Sequence, residues 1–320
     1  MATYKEIHGV NVQYRSSDAP EIEGDVWYNS STGKLRMYAS AGSWATGGNV
    51  NNSRYAQMSA GTQTAAVIAG GSPTDRNETE EYNGTAWTEV NDMGTRKSQV
   101  CMGVTGTQTS AISIGGVPSP GVQTFEYDGT DWTSGGNKNT AKYSGGAAGT
   151  QTAALGFGGE VTAQIANAET YDGSSWTETG DLNTARSYGV GVGTNTSAFY
   201  IGGFAPPTAT QLTLVEEFNG SSWTETTDYN SARVKQGGVG DTTAAMIYAG
   251  FEPSANTGKT EEWDGSSWTE VADMSTIRRE GGMAGTTSAA LFASGEAPGG
   301  LSNATEEWNM SASVETVSFD

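Results

Sequence analysis

The residues best suited to chemistry are carboxylates that recur as doublets, Glu80-Glu81, Glu216-Glu217, Glu261-Glu262 and Glu306-Glu307, with single acids at Glu126 and Glu169. Paired carboxylates are the machinery of glycoside hydrolysis. Each doublet lies in a stretch with strand character, where neighbouring side chains point to opposite faces, so its two carboxyls do not face each other. A catalytic centre is also asymmetric, whereas these acids recur along the chain, and they are read as solvating groups and ion-pair partners between repeats. Cations recur in the same way, one per repeat, at Arg54, Arg96, Lys142, Arg186, Arg233 and Arg278. One reading is a positive collar able to hold an anionic group such as a sugar carboxylate or phosphate. The other is pairing with Asp92, Asp181, Asp228 and Asp273 or with the recurring glutamates. Glu160, Glu252, Glu296, Arg279, Lys235 and Lys259 break the repeat, so chemistry on a polysaccharide would have to rest on them, marked by two carboxyls converging in one cleft with a raised pKa.

Composition removes other classes. One histidine, His8, leaves no multi-histidine metal site and one badly placed candidate for a Ser-His-Asp triad. One cysteine, Cys101, allows no internal disulfide. No metal or cofactor is expected. With 16 Lys+Arg against 36 Asp+Glu the formal charge is −20, which opposes binding to nucleic acid. Residues 1 to 8 lack the apolar core of a signal peptide, and no run approaches the roughly 18 apolar residues of a membrane span, so neither export by a leader nor membrane insertion is expected.

The elements that position these residues follow from the tryptophans. Trp44, Trp87, Trp132, Trp176, Trp223 and Trp268 stand 43 to 47 residues apart, and all but the first have an aromatic five residues earlier: Tyr82, Tyr127, Tyr171, Phe218 and Trp263. Trp308 continues that second series without a tryptophan after it. Asx-Gly turns such as Asn83-Gly84 and Asp172-Gly173 separate the two aromatics, a hairpin signal. An earlier Gly-Thr turn precedes an apolar run ending in Gly70-Gly71, Gly115-Gly116, Gly158-Gly159 or Gly202-Gly203, degraded to Gly250-Phe251 and Ser294-Gly295 in the last two units. Four antiparallel strands in each unit of this length make a propeller blade. The apolar run closed by Gly-Gly, then an aromatic and a tryptophan at fixed offset, resembles the kelch-type repeat. The predicted fold is all-β, a six-bladed β-propeller of four-stranded antiparallel blades over residues 43–310.

Trp44 lies ten residues before Arg54, as the other tryptophans lie ten before Lys142, Arg186, Arg233 and Arg278. Residues 43 to 52 therefore read as an orphan outer strand that completes the sixth blade. The rival closure uses Ser313 to Phe319, part of a tail or edge strand over 311–320. The small residues of the inner strands predict a narrow channel, and the tyrosines and tryptophans read as packing between blades.

Specificity is sought in the loops between the second and third strands, where Pro118, Pro206 and Pro207 stiffen a rim placed by propeller topology on the same face as the cation-bearing crossovers. Residues 1–42 lie outside the repeat and contain a hairpin around Ser30 to Gly33. With the opening Met1-Ala2-Thr3-Tyr4-Lys5-Glu6-Ile7, this segment resembles N-terminal segments of structural and fibre proteins of tailed phages, especially those of marine cyanobacteria. The resemblance implies a virion location on tail or capsid surface, other virion proteins and a host glycan or protein as partners, and an attachment hairpin with Trp27 and Tyr28 as anchors. The expected function is a non-enzymatic tail-fibre or host-recognition protein, compatible with a homo-oligomer. Capsid decoration and a polysaccharide-degrading lyase or glycosidase are the alternatives.

Overall fold

The structure, a computed structural model, describes residues 12–18, 25–118, 121–206 and 210–317. It contains strands and no helix among those residues. The local cause is visible at each outer hairpin. The side-chain oxygens of Asn83, Asp128, Asp172, Asn219 and Asp264 accept the backbone N–H groups two and three residues on. The following glycines take φ between +89° and +96°, a region a Cβ disfavours. The turn thereby sets each tryptophan opposite its aromatic partner: Tyr82 and Trp87, Tyr127 and Trp132, Tyr171 and Trp176, Phe218 and Trp223, Trp263 and Trp268, with ring centroids 4.9 to 5.6 Å apart.

Blade 1 comprises Met58–Thr62, Ala65–Ala69, Thr79–Tyr82 and Trp87–Val90. Blade 2 comprises Gly106–Thr107, Ser110–Ile114, Thr124–Tyr127 and Trp132–Ser134. Blade 3 comprises Gly146–Thr150, Ala153–Phe157, Ala168–Tyr171 and Trp176–Glu178. Blade 4 comprises Val190–Gly193, Ala198–Ile201, Val215–Phe218 and Trp223–Glu225. Blade 5 comprises Gly237–Gly240, Ala245–Tyr248, Thr260–Trp263 and Trp268–Val271. In blade 6, Gly282–Thr286, Ala289–Ala293 and Thr305–Thr316 are followed outward by Lys34–Thr46. The sixth aromatic pair is thus Trp308 with Trp44, at 5.6 Å. The ring is a six-bladed propeller closed by the N-terminal strand, and residues up to Thr316 prolong the third strand of blade 6 instead of supplying a fourth.

The apolar runs end in two left-handed residues in every blade, and the structure moves the register of one pair. In blade 5 the pair is Ala249-Gly250, at φ 60° and 111°, and not Gly250-Phe251.

Blades are joined by tryptophan N–H groups. Trp87, Trp132, Trp176 and Trp44 donate to the hydroxyls of Thr305, Thr79, Thr124 and Thr260, each the first residue of the third strand in the preceding blade. In blade 3 that position is Ala168, and the buried Trp223 Nε1 has no partner. Ala168→Thr should supply it and stabilise the protein by about 1 kcal/mol, read by urea unfolding; an unchanged midpoint would mean the added atoms do not fit.

At the axis the channel is closed by backbone. The inner segment of blade 2 bridges blades 1, 3 and 4 through Val104 with Ser59, Met102 with Gly146 and Gly103 with Gly191. A Cβ on Gly103 would stand 1.9 Å from the Ala147 carbonyl oxygen, so only glycine permits this crossing.

The chain divides into two units, Trp44–Trp308 and the residues up to 43 together with those from 309 on. In the second, Gln13–Arg15 runs parallel to Val26–Asn29, which pairs antiparallel with Lys34 to Met37 around the expected turn. The parallel strand was not foreseen. Trp27 is fully buried there, donating to Asp18 with the Arg15 guanidinium 5.1 Å from its ring. Trp27, expected as an attachment anchor, thus packs inside its own unit. Tyr28 is half-buried against Tyr14, which is 78% exposed.

Candidate functional site

The recurring cations do not form a collar open to solvent. Arg54, Arg186, Arg233 and Arg278 are fully buried and pair with Glu80, Glu216, Glu261 and Glu306 at 2.5 to 3.3 Å. Burial holds the guanidinium groups of Arg54, Arg186 and Arg278 below their usual pKa, Arg278 at about 10, and the paired glutamates oppose that shift. Glu80, Glu216 and Glu261 also accept the backbone N–H and side-chain amide of Asn51, Asn183 and Asn230, as Glu169 does from Asn139, at 2.7 to 3.1 Å, and Glu306 accepts the backbone N–H and hydroxyl of Ser275 at 2.8 and 2.6 Å. The arrangement is a clasp inside blades 1, 4, 5 and 6. Second glutamates face outward, where Glu307, Glu81 and Glu126 accept the hydroxyls of Tyr82, Tyr127 and Tyr171.

Blade 2 departs from the clasp. Phe125 stands in the glutamate's place and Gly94 in the asparagine's. The buried cation is Lys97, donating to the Pro118 carbonyl, while Arg96 is exposed. The ten-residue offset from Trp87 points to Lys97, so Arg96 was one residue out of register. In blade 3, Lys142 is buried and donates to Gly156 and Asn167.

Four of the residues that break the repeat, Glu160, Lys235, Arg279 and Glu296, lie on the crossovers and the loops bridged to them. Each crossover reaches its inner strand through a left-handed residue, and six of these, Ala56, Gln99, Ser144, Tyr188, Lys235 and Glu280, have φ of 51° to 62°. The N–H of each donates to the carbonyl of the one before, and Ala56 donates to Glu280, closing a ring of six hydrogen bonds of 2.7 to 2.9 Å. Left-handed geometry costs a Cβ-bearing residue about 1–2 kcal/mol, and this ring holds it in place. Outside it, bridges tie every crossover to the loop after the second strand of its own blade: Tyr55 with Ser72, Ser98 with Val117, Tyr143 with Glu160, Ser187 with Phe204, Val234 with Phe251 and Arg279 with Glu296. Crossovers and rim loops therefore share a face, as expected. Pro118 and Pro206 are exposed on these loops, and Pro207 lies outside the described residues.

Blades 3 to 6 carry the chemistry of this end. Lys235 Nζ lies 3.0 Å from Glu280 Oε1 and 4.7 Å from the centre of the Tyr188 ring. Tyr188 donates to Glu160 Oε1 at 3.1 Å, and Ser187 to Glu160 Oε2 at 3.1 Å. Arg279 pairs with Glu296 at 2.8 Å and covers Phe251. Glu252 and Lys259 pair with each other at 3.0 Å. Glu280 is 3% exposed and its Oε2 has no hydrogen-bond partner. Burial raises the Glu280 carboxyl pKa against the pull of Lys235, and burial with the nearby carboxylates pushes the Tyr188 phenol up to about 12. The result is a cluster of half-buried aromatics and fixed charge pairs around one buried carboxylate oxygen without a hydrogen-bond partner.

Because the folded protein holds the Glu280 proton more tightly than the unfolded chain, this group's contribution to stability is greatest in acid and declines as pH rises above about 4.5. The stability of Glu280→Gln relative to the unaltered protein should consequently rise with pH over that range, measured by urea unfolding at several pH values. A flat difference would show that the carboxyl is solvated.

Other features offer less. A shallow groove of Asn51, Asn52, Trp87, Thr88 and Glu89 has its one carboxylate bonded to Asn52. No group of three metal-ligating side chains occurs among the described residues, and no helix there is long and apolar enough to cross a membrane.

The chain is similar to the solved structure of YjhT, with a TM-score of 0.65 at 13% identity, covering 84% of this chain and 99% of that one. That likeness shows a propeller fold and nothing finer. No family model and no curated protein matches the chain.

Proposed function

We propose that this chain is a non-enzymatic adhesion protein of a phage virion, a tail-fibre or host-recognition component whose crossover end binds a surface glycan. The carrying observation is the asymmetry at that end: six equivalent ring positions hold Ala56, Gln99, Ser144, Tyr188, Lys235 and Glu280, so a regular scaffold displays a non-repeating side-chain set. Half-buried Tyr143, Tyr188, Phe204 and Phe251 suit the apolar faces of a sugar, and the partly exposed Lys235 amine and Arg279–Glu296 pair suit its hydroxyls. The virion context rests on the resemblance of the N-terminal segment to tailed-phage proteins, and the scaffold on the kelch-like repeat.

A glycan array should give a ligand whose affinity falls at least tenfold in Tyr188→Ala and Lys235→Ala and is unchanged in Glu89→Gln. Proteomics of purified particles should find the chain, and its absence would remove the virion reading. A second reading is favoured by one observation: Glu280, raised by burial, and Glu160 both act on Tyr188. Turnover of a bound polysaccharide would replace adhesion with hydrolysis or elimination.

A further inference from the structure

The turn between the third and fourth strands opens on Asp128, Asp172 and Asp264 in blades 2, 3 and 5, and on Asn83 and Asn219 in blades 1 and 4. Asn83-Gly84 and Asn219-Gly220 are the two Asn-Gly pairs of the sequence, and both asparagines are exposed. Asn83 Oδ1 accepts the Thr85 and Ala86 N–H groups at 3.0 Å and the Thr85 hydroxyl at 2.8 Å. Asn219 Oδ1 accepts the Ser221 and Ser222 N–H groups and the Ser221 hydroxyl, each at 3.0 Å. Three donors therefore converge on one amide oxygen in each turn.

The aspartates show what such donors do to charge at this place. The Ser175 N–H and Ser174 hydroxyl bring the Asp172 carboxyl down to about 2, and the Ser266 hydroxyl and Ser267 N–H do the same for Asp264. In the asparagine turns the donors hold the oxygen alone. Neither Nδ2 of Asn83 and Asn219 nor the N–H of Gly84 and Gly220 makes a hydrogen bond among the described residues. The crossover asparagines Asn51, Asn139, Asn183 and Asn230 are the opposite case, since each Nδ2 is committed to a glutamate and to a tryptophan carbonyl.

We propose that Asn83 and Asn219 are deamidation sites that react in the folded protein, each turn acting as an oxyanion hole for its own asparagine. Hydroxide from solvent takes the proton of the glycine N–H, and the nitrogen pair attacks Cγ, closing a five-membered ring. The C=O π pair moves onto Oδ1, where two N–H groups and a hydroxyl already point. As the C=O re-forms, Nδ2 takes a proton from water and leaves as ammonia, and the imide remains. Water then opens one imide C–N bond, giving aspartate if the bond to Cγ breaks and isoaspartate if the bond to the backbone carbonyl breaks. Glycine leaves the attacking nitrogen without a neighbouring Cβ, at φ 89° in Gly84 and 96° in Gly220. The aspartate product is the residue that blades 2, 3 and 5 carry at this place, so the turn is kept and gains a negative charge. Isoaspartate lengthens the turn by one main-chain carbon.

The test is peptide mapping by mass spectrometry of the full chain, incubated folded and unfolded in guanidinium chloride, at neutral and mildly alkaline pH. The Asn83 and Asn219 peptides should convert at least as fast in the folded protein as in the unfolded chain, and faster at the higher pH, while Asn51, Asn139, Asn183 and Asn230 stay intact in the fold. Hydroxylamine should cut the chain after Asn83 and Asn219 wherever the imide has formed. Ser221→Ala should slow Asn219 about fivefold in the folded protein, the worth of one neutral hydrogen bond, and leave both Asn83 and the unfolded chain unaffected. Slower conversion in the folded protein than in the unfolded chain overturns the proposal, because the turn would then protect the amide. So does a Ser221→Ala variant whose folded rate at Asn219 is unchanged.

Discussion

Arg233→Met is expected to destabilise the protein by about 3–5 kcal/mol, a large share of the roughly 5–15 kcal/mol that holds a domain folded. Arg233 and Glu261 are both fully buried and meet at 2.9 Å. Removing the guanidinium strands a carboxylate that keeps only the two donors of Asn230. The loss comes from the uncompensated charge more than from the value of the pair, because two of the Arg233 nitrogens, Nε and Nη2, have no partner even now. The protein contains its own control. Blade 2 does without the clasp by combining Gly94, Lys97 and Phe125. Copying that set into blade 5 as N230G, R233K and E261F removes both charges' dependence on each other, and the triple variant should recover all but about 1–2 kcal/mol. Urea unfolding followed by tryptophan fluorescence separates the cases. A cost below about 1 kcal/mol for Arg233→Met would mean that water reaches the pair.

Legibility in the sequence followed periodicity. The tryptophan spacing identified six blades, and the orphan Trp44 identified the strand that closes them, because both depend on local turn chemistry repeated in register. The clasp was half visible: the glutamates and cations were found, but adjacent Arg96 and Lys97 concealed which one turns inward. Burial was the missing information, since a guanidinium inside a blade and one on a rim leave the same trace in a sequence. The burial of Trp27 was hidden for a related reason. A hairpin in isolation has no interior, and the parallel strand Gln13–Arg15 that gives it one carries little apolar patterning. The axial site was accessible only as a set of residues that break the repeat. Glu160, Lys235, Arg279 and Glu296 do meet at one end, while Glu252 and Lys259 pair off in a loop. Tyr188 and Glu280, its central members, gave no signal because their role depends on a left-handed backbone ring.

Trp44→Ala should open the ring at its seam while the other five blades stay folded. Trp44 and Trp132 are matched locally: both are partly buried, both donate from Nε1 to a threonine hydroxyl of the preceding blade, and both face the aromatic of the adjoining strand. They differ in what their strands close. Trp132 sits in a hairpin made by a four-residue turn, whereas the strand of Trp44 meets that of Trp308 from the far end of the ring. Closing a loop of that length costs on the order of 5 kcal/mol in chain entropy, which the seam contacts must exceed. Loss of the Trp44 indole forfeits about 3–5 kcal/mol of packing. The seam should then open locally, exposing the edge of Thr305–Thr316 to pairing with a second chain. Hydrogen exchange should lose protection over Lys34–Thr46 and Thr305–Thr316 alone, with concentration-dependent dimers by light scattering. Trp132→Ala should lower global stability by a similar amount, remain monomeric and show no local opening. Identical behaviour of the two variants would mean that the ring does not depend on its N-terminal seam.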